Sequence, residues 1–397
     1  MLRTVVWGDL PLVCMEHHPH SPGDTRAPDT WPVDVPALLR AARDMADGRV
    51  GATEAWRGEA TFTILQRGER NTVLRAAFAV PGGETRRVVL KLFGDDGDLA
   101  DADWCCMQAL SGTGVVPDVV AESSDARGFA MADVGDETFE RVLAEGSASD
   151  AMQVVARMAS AYARLHVEGR ALVARTEALR SSALTGELSR WMDGLPRALA
   201  WLQLTERDAR VRRALARVMQ VWYAGRDAVT LTQGDPAPGN VLLHADGTVR
   251  LVDFEYAAAR HPAFDLAAWD VICPLPNEAV QLFRAHYAEA RAALGWPLAE
   301  GEDEAAYAAI LTHQALALLS WLPTTAREHD VPWVASWSAR QAVLGTLERL
   351  ATRARADTAL QPLADAADQA AASWRRAWPE VGEALLPPWP AFRGAIA

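Results

Sequence analysis

The segment from residue 230 to residue 253, TLTQGDPAPGNVLLHADGTVRLVD, restricts the fold of this 397-residue chain more than any other. It contains a short apolar run, a polar loop and two further strand-like runs, VLLH and VRLV. Asp246 and Gly247, which separate those two runs, are typical of a two-residue type I′ turn in a β-hairpin. Counting outward from such a turn places Asn240 directly opposite Asp253.

Oxygen-bearing side chains would then meet at the open end of the hairpin. Directly opposed residues have Cβ atoms about 5 Å apart, and Asp235 lies in the loop five residues before Asn240. Amide and carboxylate oxygens suit Mg²⁺, which usually takes one or two protein ligands and completes its shell with phosphate and water. The segment therefore predicts a phosphoryl-transfer centre.

The same residues resemble the catalytic loop of the aminoglycoside phosphotransferase and choline kinase family, HGDxxxxN followed by an Asp-aromatic motif. The matching positions are Gln233-Gly234-Asp235, Asn240 and Asp253-Phe254-Glu255. The resemblance extends to RHPAFDLAAW, where Asp265 occupies the place of an Asp that braces the loop, and to the helix AYARLHVEG. Gln233 replaces the usual His, and we expect its amide to support the loop in the same way.

This resemblance implies an α+β, bilobal, protein-kinase-like fold with a small, mainly antiparallel β N-lobe and a large, mostly helical C-lobe. We predict an N-terminal extension over 1–58, a nucleotide-binding N-lobe over 59–135 and a helical C-lobe over 136–397. The implied activity is ATP- or GTP-dependent transfer of a γ-phosphoryl group to a hydroxyl group. Asp235 would act as the base, and Asn240 and Asp253 would hold Mg²⁺.

The resemblance also implies a set of nucleotide-binding residues in the N-lobe. They comprise a short Gly-containing loop, a strand lysine, an acid that pairs with it and hinge backbone that receives the adenine edge. These residues are Gly68 and Asn71 in the loop, Lys91 in VVLKLF, Asp103 (with Asp101 as the alternative) and Ala132 and Val134 within the hinge 131–134. Read alone, Gly68 also suits an ordinary hairpin, and Lys91 also suits the solvent face of a strand.

One further residue keeps two interpretations at this point, and two others are expected to have structural roles. Glu255 could contact metal or substrate, or it could face water. Asp265 is expected to bond loop amides, and His166 is expected to be structural.

The opening section contains a helical pattern, VPALLRAARDMADG, after a Pro-rich polar stretch. His17, His18 and His20, with Cys14 and Glu16 nearby, suggest a metal site. A flexible polar loop is the better interpretation, because zinc sites usually have a second, spaced pair of ligands.

Composition excludes several functional classes. The net charge of −13 argues against binding to a nucleic-acid backbone, which requires basic patches. The four cysteines lack paired metal-site spacing and predict free thiols. No run of 18 apolar residues is present, so we predict a cytoplasmic protein with no membrane partner. The 15 tryptophans predict helix packing, with an aromatic wall for a cationic substrate as the alternative.

The acceptor is expected to reach Asp235 from the side of the helices that follow Pro274. Acidic residues occur there without a comparable group of basic residues nearby in sequence; they are Glu255, Asp270, Glu300, Glu302, Asp303 and Glu304. Because acids concentrate cations, we predict a neutral or cationic small molecule, most simply an amine-bearing hydroxyl compound. A peptide hydroxyl and a non-catalytic nucleotide-binding module are the alternatives.

Overall fold

A computed structural model of the chain describes residues 5–7, 10–12, 35–46, 60–68, 70–79, 84–94, 97–123, 128–175, 178–205, 207–223, 229–297, 302–334, 337–382 and 389–393. The chain forms two compact units. We call Met15–Phe139 with Gly239–Ala257 the sheet unit. We call Met1–Cys14, Glu140–Pro238 and Ala258–Ala397 the helical unit.

The strands are short outside the main sheet. They are β1 Val5–Trp7, β2 Leu10–Leu12, β3 Ala60–Arg67, β4 Asn71–Ala79, β5 Thr85–Phe93, β6 Val119–Ser123, β7 Gly128–Ala132, β8 Thr230–Thr232, β9 Val241–Leu243, β10 Val249–Leu251, β11 Ala258–Arg260, β12 Pro332–Val334 and β13 Trp337–Ser338. The helices are α1 Val35–Ala46, α2 Gly97–Leu110, α3 Phe139–Glu145, α4 Ala148–Arg175, α5 Ala178–Trp201, α6 Ala209–Tyr223, α7 Ala263–Val271, α8 Asn277–Ala293, α9 Glu302–Trp321, α10 Ala339–Arg353 and α11 Gln361–Ala377.

The sheet unit is built on a five-stranded antiparallel sheet with the order β3-β4-β5-β7-β6. Helix α1 places its apolar stripe, which includes Leu38 and Leu39, against one face of this sheet. Leu90 and Leu92 of β5 point into that core. Because successive strand side chains alternate between faces, Lys91 points to the opposite face.

The helical unit is organised around α4, whose buried residues recur every three or four positions from Ala151 to Val173. Gly169 allows α4 to approach β8, since a Cβ atom at this position would lie 2.6 Å from the Cβ of Leu231. Strand β8 pairs antiparallel with β11, so that Thr232 lies opposite Ala258 and Thr230 opposite Arg260. The chain segment that contains Asp235 follows directly after β8.

The predicted α+β class, an antiparallel sheet followed by a mostly helical chain, is confirmed. The predicted helix near the N-terminus is also confirmed as α1. The lobe boundaries at residues 58 and 135 stay predictions. The cluster of His17, His18 and His20 lies outside the described residues.

The described cysteines and tryptophans fit structural roles. Cys105, Cys106 and Cys273 form no disulfide bond among the described residues. Trp201 of α5 contacts Trp374 of α11 and the following Trp378, with ring centroids 5.6 and 6.3 Å apart, so these tryptophans pack between helices. No described helix is long and apolar enough to cross a membrane.

Candidate active site

The hairpin formed by β9 and β10 has a register that differs from the predicted one. Val241 pairs with Leu251, and the N–H of Val252 donates to the carbonyl of Asn240 over 3.1 Å. Asn240 therefore lies opposite Val252, and the prediction that it lies opposite Asp253 is wrong.

The length of the turn explains the shift by one residue. The N–H of His244 donates to the carbonyl of Thr248, and the N–H of Gly247 donates to the carbonyl of His244. Three residues consequently form the loop, and Gly247 takes a φ of +82°, which glycine adopts without steric cost. The Asp246 carboxylate accepts the N–H of Thr248 over 2.8 Å and stabilises this longer turn.

Asp253 leaves the hairpin through an unusual backbone conformation. Its φ is +66°, a value that only one other described non-glycine residue, Gln203, shares in sign. Asp tolerates this left-handed region better than most residues, and such conformations concentrate at functional sites. The change of direction brings the Asp253 carboxylate to Lys91 instead of continuing the strand pattern.

Lys91 lies at the centre of three carboxylates. Its Nζ is 2.7 Å from Asp103, 2.6 Å from Asp253 and 3.2 Å from Glu255. The predicted contact between Lys91 and an acid of α2 is thus present, and Asp103 is the acid that makes it. The Lys91 side chain is only 7% exposed, so the alternative of a lysine on a solvent face is wrong.

The three acids of this Lys91 cluster have different surroundings. The side chains of Asp103 and Glu255 are 1% and 4% exposed, whereas that of Asp253 is 34% exposed. Asp103 also accepts the N–H of Phe254 over 2.8 Å, which fixes the backbone beside Asp253. One ligand oxygen from each of the three acids lies within 4.8 Å of the others, close enough to share a metal ion.

Burial and charge shift the titration of this cluster in a consistent way. Burial raises the pKa of Asp103, and the nearby Asp253 carboxylate raises it further against the opposing effect of Lys91. Burial alone would lower the pKa of Lys91, but Asp103, Asp253 and Glu255 raise it well above its ordinary value. Lys91 is therefore a permanent cation held by an excess of carboxylates.

Glu255 connects the Lys91 cluster to the loop between β3 and β4. It accepts a hydrogen bond from the side-chain amide of Asn71 and lies 3.5 Å from the guanidinium of Arg70. Arg70 also donates to the Tyr256 hydroxyl over 2.7 Å. Glu255 thus does not face water, and its contacts place Asn71 beside Lys91. Gly68 closes the loop by donating its N–H to the Asn71 carbonyl over 2.9 Å.

The segment after β7, where the hinge was predicted, is braced by a buried arginine. The guanidinium of Arg75 in β4 lies 2.7 Å from Asp133 and 2.5 Å from Asp136. The N–H of Ala132 donates to the carbonyl of Asp118 over 2.8 Å. Val134 is buried, and no hydrogen bond occupies its N–H within the described part of the chain.

In the helical unit, Asp265 holds the beginning of the predicted catalytic loop. Its carboxylate accepts the N–H of Gln233 over 2.8 Å and the N–H of Gly234 over 3.1 Å. Gly234 has a φ of +88° and turns the chain immediately before Asp235. The expectation that Asp265 bonds loop amides is confirmed.

Buried aromatic and imidazole groups complete this Asp265 network. His166 Nε2 lies 3.1 Å from the Asp265 carboxylate, and its Nδ1 lies 2.8 Å from the Tyr287 hydroxyl. Because a carboxylate can only accept, Nε2 carries a proton and donates it to Asp265. Tyr162 donates to the Gln233 side-chain oxygen over 2.5 Å, so Gln233 is tied into the fold by its amide. The structural interpretation of His166 is confirmed.

Comparison with known proteins identifies the family. Residues 72–301 match the model of APH, the phosphotransferase enzyme family. The chain belongs to this family. The match covers more than half of the chain and includes Lys91, Asp103, Asp235, Asn240 and Asp253. The predicted enzyme class, a phosphotransferase, is thereby confirmed.

Similar solved structures have low sequence identity to this phosphotransferase. A choline/ethanolamine kinase family protein from Mesorhizobium loti is 15% identical, with 83% of this chain and 98% of that chain covered and a TM-score of 0.48. Choline kinase LicA from Streptococcus pneumoniae is 12% identical, with coverage of 84% and 99% and a TM-score of 0.43. Macrolide 2'-phosphotransferase MphH from Brachybacterium faecium is 19% identical, with coverage of 72% and 95% and a TM-score of 0.42. No curated protein matches the chain significantly.

The acidic residues expected near the acceptor are largely paired with arginines. Asp270 is fully buried and bonded to Arg349 and Arg353, and Glu304 is paired with Arg284. Arginines that are distant in sequence therefore accompany Asp270 and Glu304 in the fold, and these two acids do not supply the unpaired negative charge on which the prediction of a cationic acceptor depends. Glu300 lies outside the described residues, and the side chains of Glu302 and Asp303 are not described.

The structure adds residues that the sequence did not single out. Arg75, Tyr162 and Tyr287 each hold a predicted segment in place, yet each stands in an ordinary strand or helix pattern. The sequence does give one signal for Arg75. An arginine on a strand face that is otherwise apolar requires a charged or polar partner when that face is buried.

Proposed function

We propose that this phosphotransferase moves the γ-phosphoryl group of a nucleoside triphosphate, ATP or GTP, to a hydroxyl group of a small molecule. The observation that carries the proposal is the Lys91 cluster, in which a buried ammonium is held by Asp103 and Glu255 beside a partly exposed Asp253. Family membership supports the reaction class.

Lys91 would bind the phosphates of the nucleotide. An ammonium that is held rigidly and kept charged stabilises phosphate oxygens without reorganisation when the reaction occurs. Asp103 fixes the Lys91 amine from α2, and Glu255 fixes it together with Asn71. Asp103 and Glu255 would therefore act by positioning Lys91.

The charges of the cluster fit a divalent cation. Three carboxylates face two cationic side chains, Lys91 and Arg70, which leaves an excess of negative charge. Asp253, the most exposed of the three acids, would be a ligand, and Asn240 would supply an amide oxygen. Hard oxygen donors of this kind suit Mg²⁺. Bound Mg²⁺ would neutralise part of the charge on the phosphate oxygens.

Val134 is the best candidate to receive the adenine edge. Its backbone N–H makes no hydrogen bond among the described residues, whereas that of Ala132 is used by Asp118. Arg75 fixes this segment through Asp133 and Asp136, so the N–H of Val134 would be held in position before the nucleotide binds. Gly68 and Asn71 would cover the phosphates from the loop between β3 and β4.

Asp235 would accept, or at least orient, the proton of the acceptor hydroxyl. Two neighbouring backbone N–H groups are held by Asp265, so the loop before Asp235 has one defined conformation. A base that is fixed in this way needs no ordering during the reaction.

The acceptor is proposed to be a small hydroxyl compound, and an amine-bearing one is the first to test. The paired acids Asp270 and Glu304 do not themselves favour a cation, so the charge of the acceptor depends on the remaining surface. A peptide acceptor and a non-catalytic nucleotide-binding module are treated as outcomes of the experiment.

The experiment measures ADP and GDP formation with Mg²⁺ across aminoglycosides, choline-like amines, neutral sugars, hydroxy amino acids and Ser/Thr peptides. We expect acceptor-dependent turnover with at least one small molecule, and its loss in Asp235→Asn. For a cationic acceptor, the KM should rise with salt. Turnover with peptides alone would replace the small-molecule proposal. Thermal stabilisation by Mg-nucleotide with no turnover in any class would favour the binding module.

A further inference from the structure

A cavity of about 340 Å³ lies within the helical unit, between the beginning of α7 and the helices α8 and α9. Its walls combine aromatic and small apolar side chains with a few polar groups. Tyr287 and Tyr307 provide the aromatic part, and Arg284, Arg291 and Glu304 provide the charges. This size and mixture are typical of pockets for small organic ligands.

The cavity starts at the end of the β8–β11 ladder that is remote from the catalytic loop. Thr232, which precedes Gln233, pairs with Ala258, whereas the cavity residue His261 follows the opposite end of β11. The cavity is thus distinct from the position of Asp235.

Arg291 is the unusual residue in this cavity. It is 6% exposed, and its Nε donates to the carbonyl of Trp296 over 2.9 Å. Its guanidinium lies 3.6 Å from the centre of the Trp296 ring. Among the described residues, no carboxylate lies within ion-pair distance of Arg291. Buried charges are normally paired, so an uncompensated guanidinium in a cavity wall indicates a missing anion.

The other charged groups that line the cavity do not neutralise the Arg291 guanidinium. Arg284 is paired with Glu304, and it also lies 4.1 Å from the centre of the Tyr307 ring. Burial lowers the pKa of His261 to about 4, and Arg291 and His166 contribute to the lowering. His261 is therefore neutral near pH 7, and its Nδ1 accepts the N–H of Ala263 over 3.1 Å. The described lining carries one excess positive charge.

We propose that this cavity is a binding site for a small organic anion whose carboxylate or phosphate group pairs with Arg291. The tyrosine and alanine walls would contact the organic part of the ligand. Guanidinium groups bind carboxylates and phosphates through two parallel hydrogen bonds, which gives the site its preference for these anions.

Tyr287 gives such a ligand a contact with the Asp265 network. Tyr287 lines the cavity, and its hydroxyl bonds to His166, which in turn bonds to Asp265. Occupancy would therefore act on the residues that hold Gln233 and Gly234.

The test measures binding and does not depend on phosphoryl transfer. The full-length protein is titrated with benzoate, glycerol 3-phosphate and inorganic phosphate, against chloride at equal ionic strength, by thermal shift and calorimetry. We expect saturable stabilisation by at least one organic anion, at least tenfold weaker binding in Arg291→Met, and unchanged binding in the matched surface variant Arg355→Met. Lys91→Met should also retain binding, which separates this cavity from the proposed nucleotide site.

Ala288→Phe provides a second variant in case Arg291→Met does not fold. Ala288 lines the cavity, so the larger side chain should fill it and abolish binding while Arg291 stays in place. The proposal is overturned if no anion stabilises the protein beyond chloride. It is also overturned if Arg291→Met and Ala288→Phe both bind as the wild type does.

Discussion

The Lys91 cluster of the sheet unit and the Asp265 network of the helical unit hold buried carboxylates in opposite ways. In the first, three acids share one lysine and one arginine, and Asp253 keeps a third of its side chain exposed. In the second, a single fully buried carboxylate accepts two backbone N–H groups and one imidazole N–H. The Lys91 cluster therefore carries excess negative charge, whereas both oxygens of the Asp265 carboxylate accept hydrogen bonds.

This difference separates residues that can bind a ligand from residues that stabilise the fold. Excess negative charge near an exposed carboxylate lowers the stability of the folded protein. A bound cation, with the phosphates that it carries, can offset this loss. A carboxylate whose oxygens are all used stabilises its surroundings and has no capacity left for a ligand. We therefore expect substitutions of Asp253 and Lys91 to reduce nucleotide use directly, in addition to any loss of stability, and substitutions of Asp265 to reduce activity through the fold.

The largest effect is expected for Asp235→Asn. Loss of a general base or orienting carboxylate should lower kcat about 10²–10⁴-fold. The free energy of unfolding should change less than in Asp265→Asn, because Asp265 accepts the N–H groups of Gln233 and Gly234 and the amide of Asn keeps the shape of Asp235. Steady-state kinetics with an identified acceptor and urea unfolding measure the two quantities. Turnover close to that of the wild type would exclude Asp235 from the chemistry.

Lys91→Met should lower kcat/KM for the nucleotide by about 10²–10³-fold, since a fixed phosphate-binding cation is removed. The sequence alone predicts little loss of stability, because an ammonium at a strand end that faces a cleft contributes little packing. The structure revises this expectation to a loss of about 3–5 kcal/mol, because three carboxylates are left without their shared cation.

The double variant Lys91→Met/Asp103→Asn separates these two effects of Lys91. It should recover part of the stability, because one of the uncompensated acids is neutralised, but none of the nucleotide use. Equal loss of stability in the single and double variants would show that repulsion among the acids is not the cause.

The contact of Lys91 with Asp103 and the bonds from loop amides to Asp265 could be predicted because the motifs that contain these residues resemble those of a known family. The contacts of Lys91 with Asp253 and Glu255 were not predicted. The hairpin register could not be predicted. Asp246-Gly247 suits a two-residue and a three-residue turn alike, and the choice depends on the conformation of Gly247 and on the bond from Asp246 to Thr248. Because the turn is one residue longer than predicted, Asn240 lies opposite Val252 and not opposite Asp253.

Ion pairs between residues that are distant in sequence could not be predicted either. The sequence places Asp270 in an acidic acceptor region, yet its partners Arg349 and Arg353 come from α10, some 80 residues later. Arg75 likewise pairs with Asp133, 58 residues away. Such pairs form through tertiary packing, for which local pattern and propensity give no signal.

Asp265→Asn tests whether the Asp265 network stabilises the fold. The amide keeps the shape of the carboxylate but has only one acceptor oxygen, so at least one buried N–H among Gln233, Gly234 and His166 loses its partner. We expect a loss of about 1–3 kcal/mol in the free energy of unfolding, with a fall in kcat. Asp368→Asn, which removes an exposed partner of Arg355, should stay within about 0.5 kcal/mol. A stable but inactive Asp265→Asn protein would assign Asp265 to catalysis.

The response to acid compares the two units most directly. Burial, with Arg260 nearby, lowers the pKa of His313 to about 3, so the folded helical unit resists protonation there. Below the ordinary histidine pKa of 6.5 the unfolded chain binds the extra proton, and stability falls as the pH drops from 6.5 towards 3.

The pKa of Asp103 is raised by burial, so the sign is reversed in the sheet unit. The folded unit holds this proton better than the unfolded chain, and the contribution of Asp103 to stability is lost as the pH rises above 3.8. Hydrogen exchange of peptides from each unit between pH 4.5 and 6.5, corrected for the intrinsic exchange rate, should show lower protection on acidification in the helical unit only. Because the pKa of His261 is also lowered, to about 4, two histidines of the helical unit take part. The slope should therefore approach about 2.8 kcal/mol per pH unit and should fall by about half in His313→Leu. Parallel slopes in both units, or no change in His313→Leu, would show that His313 and Asp103 do not set their acid response.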